Sequence, residues 1–469
     1  MTAQSFEGKP LGWTERPFRE LLRLSWPITV STLSYSAMTL VDTLLVSRLG
    51  AAELAGVGLG GTAAFVLLCF SFGLLRGAKT LVAQAVGAGQ SGEVAAHRGA
   101  AVAAALAIGA LTLLCGQVVS GLLPMLSASP AAGRAAAEYL AVRSLGAPLA
   151  LLYVALREVR YGGGDAKRPM VATVAANAVN IGLAYVFVFV LGRGVAGAAL
   201  ATVIAHGVEA GVLVVAERGA LGLFAFGRRH LGELFRVGLP TGLQFTLEIG
   251  AFAMLAALLA RMPEREMAAH QIALQVIHFS FLPAFAVGEA ASVLAGQAVG
   301  AARDGLVRVV ARAAGLVAAA YTLACTLVLA LAAPLVVAGF SGDPSLVAVA
   351  VRLLHVAAVF QVADGLNVVA RGTLRGVGDV RLPAVVGVVT SWVFTPPLTW
   401  LLGYRMGLGA LGGWLGLCAE ILVAAAILWW RLERQGWLPA AAASRQALRQ
   451  VPSEALVAAS PLEISGEAA

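Results

Sequence analysis

Twelve stretches of about 20 residues run through this chain almost without a charge, and arginine gathers in many of the short loops between them. A bilayer core about 30 Å thick needs that length of helix to cross it, and it offers no water to an unpaired backbone amide. The pattern predicts an all-α polytopic membrane protein. Six spans are expected at roughly 24–46, 54–75, 99–122, 135–156, 170–191 and 196–216, and six more at roughly 237–259, 268–294, 313–338, 346–370, 383–402 and 408–430. Charge is scarce, as this requires: 33 Lys+Arg and 25 Asp+Glu make 12% of 469 residues, about half the share of a soluble domain. Cys69, Cys115, Cys325 and Cys418 stand singly in apolar stretches, so neither a disulfide frame nor a cysteine metal site is expected. The first twenty residues are polar and hold no apolar core for a cleavable signal.

Most basic residues, Arg16, Arg98, Lys167, Arg168, Arg228 and Arg229 among them, fall on the side that also carries both ends of the chain. By the positive-inside rule that side is the cytoplasm. The net charge of +8 then reads as topology and contact with anionic lipid heads, with no nucleic acid as partner. The division that follows is a cytoplasmic N-terminal tail 1–22, a six-helix lobe 23–216, a cytoplasmic linker 217–236, a second six-helix lobe 237–432, and a disordered cytoplasmic tail 433–469. The two halves repeat. A shift of 213 lays Pro27 on Pro240, Glu53 on Glu266, and Gln84 to Gly87 on Gln297 to Gly300. A shift of 214 lays Arg157, Gly162, Gly164, Asp165 and Pro169 on Arg371, Gly376, Gly378, Asp379 and Pro383. Six spans per half make the repeats parallel, around an axis along the membrane normal and a central cleft.

Carboxylates inside such spans are costly and call for a reason. Asp42 shares a helical face with Ser31 and Tyr35, and Glu248 follows Gln244 by one turn. Asp364 lies between Gln361 and Asn367, and Thr173, Asn177 and Asn180 form a further stripe. Amide and hydroxyl stripes can hold helices together by hydrogen bonds, but that task needs no ionisable group. The alternative is cation handling, in which a buried carboxylate holds a proton or offers hard oxygen ligands to Na⁺. Glu209 and Glu420, at nearly corresponding places, are expected to be structural, and His270 and His278 to be packing residues. Arg76 and Glu289 are related by the 213 shift, so an ion pair across the axis is expected to latch the cytoplasmic end; separate snorkelling to the interface is the alternative.

Two parallel six-span halves, Pro27 leading to Val41-Asp42-Thr43, Val82-Ala83-Gln84 leading to Gly87-Ala88-Gly89, and the loops Gly164 to Pro169 and Gly378 to Pro383 resemble the MATE family of multidrug and toxin extrusion transporters. The resemblance covers about 15–435. Gly238-Leu239-Pro240 with Leu247-Glu248, and Phe360-Gln361-x-x-Asp364 with Gly372-x-Leu374-Arg375-Gly376, are similar to its NorM-like branch. It implies that Asp42, Glu248 and Asp364 couple cation entry to transport, with Asn177 and Asn180 nearby. Another branch carries an aspartate where this chain has Ala184, which moves weight to the second lobe. The expectation is a secondary-active antiporter, not an enzyme, in the cell inner membrane. It would use H⁺ or Na⁺, with Na⁺ held at Glu248 and Asp364, and need no other cofactor. It would export amphipathic, cationic small molecules by alternating access of two lobes, as a monomer contacting membrane lipids. A flippase for a lipid-linked saccharide is the alternative reading.

Overall fold

The computed structural model describes residues 11–127, 129–217 and 226–449. Among them the chain forms only helices and their connections. The first half contains α1 (Pro17–Ser47), α2 (Ala51–Gly87), α3 (Ser91–Leu126), α4 (Pro130–Ser144), α5 (Ala147–Gly162), α6 (Lys167–Tyr185) and α7 (Gly194–Ala216). The second contains α8 (Arg228–Leu259), α9 (Glu264–Gly300), α10 (Asp304–Ala338), α11 (Pro344–Gly376), α12 (Arg381–Leu398) and α13 (Ala410–Glu433). Eleven of the described helices are long and apolar enough to cross a membrane, and the bent pair α4–α5 makes a twelfth span.

The fourth span departs from the single helix expected at 135–156. Its two pieces meet at 52°. Pro148 lacks the N–H that would bond back one turn, and its ring crowds the preceding carbonyl, so the helix breaks at Leu145–Gly146. The equivalent stretch of α11 has no proline there and runs unbroken. Helices also outlast their apolar windows: α2 and α9 each have 37 residues, about 55 Å at 1.5 Å per residue.

The duplication is visible as exchanged contacts. Gln297 Nε2 donates to the Gly162 carbonyl at 3.3 Å, and Gln84 Nε2 to the Gly376 carbonyl at 3.0 Å. A Cβ on Gly87 would lie 2.1 Å from the Gln297 carbonyl oxygen, and one on Gly300 would lie 1.9 Å from that of Gln84. Each contact is the other with its halves swapped, the mark of a pseudo-two-fold axis between α2 and α9. Both α6 and α12 end in a wider, π-helical turn, Val186–Val190 and Thr399–Arg405, starting 213 residues apart. Around the axis α2 packs on α8 and α9 on α1, with α2 and α8 approaching through Gly73, Gly77, Gly238 and Gly242.

Among the described residues, the hydrogen bonds that chain ends and loops make between the halves gather at one end, called here the termini face. Trp13 is buried there and donates to Gln297 Oε1 at 2.9 Å. Toward the opposite end the last interhalf hydrogen bonds among the described residues are Ser36–His278, 3.3 Å, and Cys69–Thr246, 3.6 Å. The hydrogen bonds between the halves are thus concentrated at the termini face.

Two expected boundaries need correction. α8 begins at Arg228, inside the linker expected over 217–236; residues 218–225 lie outside the described residues. The tail 433–469 is not disordered where it is described, because Leu438–Arg449 forms a further helix, α14. Its alanines are the best helix formers. Ala441 and Leu448, seven residues apart, are buried on one face, and Arg445 Nη1 reaches Asp304 Oδ1 at 2.5 Å. Residues 450–469 lie outside the described residues.

Candidate cation and substrate site

In the second half, α8, α11, α12 and α13 bring three carboxylates together. Arg371 Nη1 donates to both oxygens of Glu248 at 3.0 Å, and Gln244 Nε2 donates to Glu248 Oε1 at 2.8 Å. Arg375, one turn beyond Arg371, donates from Nη2 to Gln244 Oε1 at 2.8 Å. Gly387 on α12 makes the niche: a Cβ there would fall 2.0 Å from Glu248 Oε1. Glu420 accepts from the Thr395 hydroxyl, and its charge acts on those of Glu248, Arg371 and Asp364. Among the described residues no ion pair reaches Asp364 or Glu420. Asp364, Asn367 and Arg371 follow one another at spacings of three and four on α11, so they share a face. Gln361 lies one turn earlier and donates to Ser280 Oγ on α9 at 2.9 Å. The Gln361 and Asn367 oxygens are buried without a partner.

In the first half Asp42 is half-buried on α1 beside α6. With the Asn180 amide turned so that its nitrogen faces Asp42, it donates to Asp42 Oδ1 at 3.0 Å and accepts from the Thr202 N–H at 3.3 Å. Asn177 donates to Ser34 Oγ at 2.5 Å, while Tyr35 is exposed. A buried chain lies next to this group. Arg143 Nη2 donates to His206 Nε2 at 2.9 Å, so the neutral ring carries its proton on Nδ1, which donates to Glu209 Oε2 at 2.9 Å. Arg143 is close enough for its charge to act on Asp42. Glu209 is thus tied into a charged network rather than held only by packing.

The expected Arg76–Glu289 pair gives way to another. Lys79, one turn further along α2, forms the ion pair with Glu289 and lies 3.8 Å from Glu158 Oε2. The Arg76 guanidinium instead sits over the Phe245 and Phe285 rings, 5.6 and 5.1 Å from their centroids. A repeat makes two positions equivalent about an axis, but they touch only if both side chains point at it. His270 accepts from Trp414 Nε1 at 3.1 Å, a packing arrangement.

Sequence reasoning missed Arg371, counted among loop cations, and Arg143 and His206. A signal was present for Arg371, which follows Asp364 by two turns of one face. For His206 and Arg143 none was, since their neighbours come from other helices.

The MatE family model matches residues 27–186 and 240–401. A probable multidrug resistance protein NorM of Deinococcus radiodurans is 35% identical over 434 residues, covering 88% of this chain and 94% of that protein. One from Rhodopseudomonas palustris is 35% identical over 436 residues, covering 88% and 91%. Among solved structures, a MATE bound to MaL6 superimposes with a TM-score of 0.84 at 24% identity, covering 90% of this chain and 97% of that one. A MOP superfamily transporter from Pyrococcus furiosus gives 0.83 at 24% identity, covering 93% and 97%.

Proposed function

This chain belongs to the MatE family, and from that premise we propose that it exports amphipathic cationic drugs or metabolites in exchange for a coupling cation. It is an integral membrane protein and a multidrug efflux transporter of the NorM type, not an enzyme. Coupling falls to the second half, where Asp364 and Glu420 lie within reach of the charge of Arg371, the partner of Glu248, and among the described residues have no ion pair of their own. That observation carries the reading. Carboxylates inside a span are neutralised by a proton or a bound cation unless a guanidinium does it, and among the described residues the one ion pair of Arg371 is with Glu248.

Glu248 is therefore committed in this conformation, and protons arriving at Asp364 and Glu420 are the favoured coupling event over Na⁺ at Glu248 and Asp364. Asp42 and Asn180 would form a second acceptor in the first half. Neutralising these carboxylates lowers their hold on a cationic substrate and shifts the balance between two states of the lobes. With both termini in the cytoplasm of the cell inner membrane, the hydrogen bonds gathered at the termini face support an outward-open reading of a monomer. A flippase for a pyrophosphate-linked lipid would need cations free to bind it. Lys79 and Arg371 face carboxylates and Arg143 a histidine, which favours the antiporter.

Dye efflux from proteoliposomes under separately imposed pH and Na⁺ gradients tests the reading. Efflux driven by the pH gradient and lost in Glu248→Gln and Asp364→Asn is expected. Wild-type efflux from both variants refutes the site, and efflux driven by Na⁺ alone refutes the proton.

A further inference from the structure

At the termini face, away from the carboxylate clusters, the first turns of α3 and α8 converge. Glu93 and His97 are four residues apart on α3, so both point the same way. Glu233 comes from α8 in the other half. His97 Nε2 lies 3.7 Å from Glu93 Oε2 and 3.6 Å from Glu233 Oε2, and the three atoms fall within 4.8 Å of one another. These separations are too long for hydrogen bonds. They are near the edge of a tetrahedron of Zn–N and Zn–O bonds, about 3.4 Å for legs of about 2.0–2.1 Å.

The outer atoms are held for such a role. His230 Nδ1 accepts from the Gly227 N–H, so Nε2 of its neutral ring carries the proton and donates to Glu93 Oε1 at 3.3 Å. Arg229 Nε donates to Glu233 Oε1 at 2.8 Å. Its Nη2 is 3.9 Å from Glu93 Oε2 but is engaged by the Ala447 carbonyl of α14 at 2.6 Å. Each carboxylate is thus fixed through one oxygen while the other faces His97. Such supporting bonds orient ligands in metal sites. Glu93 Oε2 has no hydrogen-bond partner although the residue is 5% exposed, and His97 is 2% exposed with Nδ1 also unpartnered. Buried polar atoms without partners are rare and point to a missing one.

We propose that Glu93, His97 and Glu233 form a site for a divalent transition cation of the zinc class, with a fourth position left for water. One imidazole and two carboxylates, without sulfur, suit Zn²⁺ better than soft ions, and the imidazole disfavours Mg²⁺ and Ca²⁺. The ion would bond α3 of one half to α8 of the other across the seam at the termini face. Its consequence rests on the proposed rocking of the lobes: a bound ion locks the seam and slows efflux.

Zinc chloride is the probe, applied to the tag-free, full-length protein in detergent after chelation. One Zn²⁺ per chain is expected, with at least 10-fold weaker binding in His97→Gln and in Glu233→Gln, each checked by size-exclusion profile. Glu233 is the less buried of the two and keeps the test open should His97→Gln misfold. Unchanged binding in the folded variants overturns the site. In proteoliposomes, Zn²⁺ on the termini side should inhibit wild-type efflux reversibly by chelator and spare the variants. Stoichiometric binding without inhibition overturns the lock. Absence of any wild-type efflux counts against the transport reading and leaves the binding result to stand alone.

Discussion

Replacing Gly300 by alanine places a Cβ 1.9 Å from the Gln84 carbonyl oxygen, 2.8 Å from its carbon and 2.9 Å from the Ala88 nitrogen. All three are backbone atoms, so no rotamer change relieves the clash. Restoring ordinary contact near 3.4 Å requires α2 and α9 to part by about 1.5 Å at the axis, which also stretches the Gln297–Gly162 and Gln84–Gly376 hydrogen bonds. Overpacking of this kind costs about 1–3 kcal/mol, and the backbone contact puts it at the upper end. Gly87→Ala meets the Gln297 carbonyl oxygen at 2.1 Å and should cost nearly the same. The two sites act on one seam. Once the first alanine has opened it, the second meets a relaxed gap, so the double variant should fall short of the sum by about 1 kcal/mol. Thermal unfolding in detergent, followed by tryptophan fluorescence, measures this. Fully additive shifts, or single variants with wild-type midpoints, would refute the two-fold seam.

Gly387→Ala should act on the site more than on the fold, because its Cβ would meet the ends of side chains, Glu248 Oε1 at 2.0 Å and Gln244 Nε2 at 2.4 Å. Efflux should fall at least tenfold at near wild-type expression. Lys79→Met strands Glu289 and leaves Glu158 with Arg157 alone, a loss of about 3–5 kcal/mol for a buried pair broken on one side. Adding Glu289→Met should recover most of the thermal stability; no recovery would refute the pairing.

The spans, their parallel duplication and the membrane setting were legible in the sequence because burial in lipid constrains every residue of a span. The carboxylates were legible too, since each breaks that rule alone. Their partners were not. Arg371 stands at the end of an apolar window, where it looks like a loop cation, and only the continuation of α11 to Gly376 brings it inside. Arg143 is deeper still, on the broken span whose bend depends on Pro148. Composition also misled in the last segment, expected to be disordered, where the alanines form a helix.

Among the described residues α14 has no counterpart in the first half. It reaches across the duplication through the Leu448 carbonyl, which accepts from Gln90 Nε2 at 3.1 Å, while the Ala447 carbonyl on Arg229 and Arg445 on Asp304 hold it to its own half. Two polypeptides made by cutting the chain between 217 and 226 would therefore be unequal. The later one would carry the contact that captures its mate; the earlier one would bring only a docking place. Reassembly from separate pieces should depend on which fragment is shortened, an asymmetry that the duplicated helices alone would not produce.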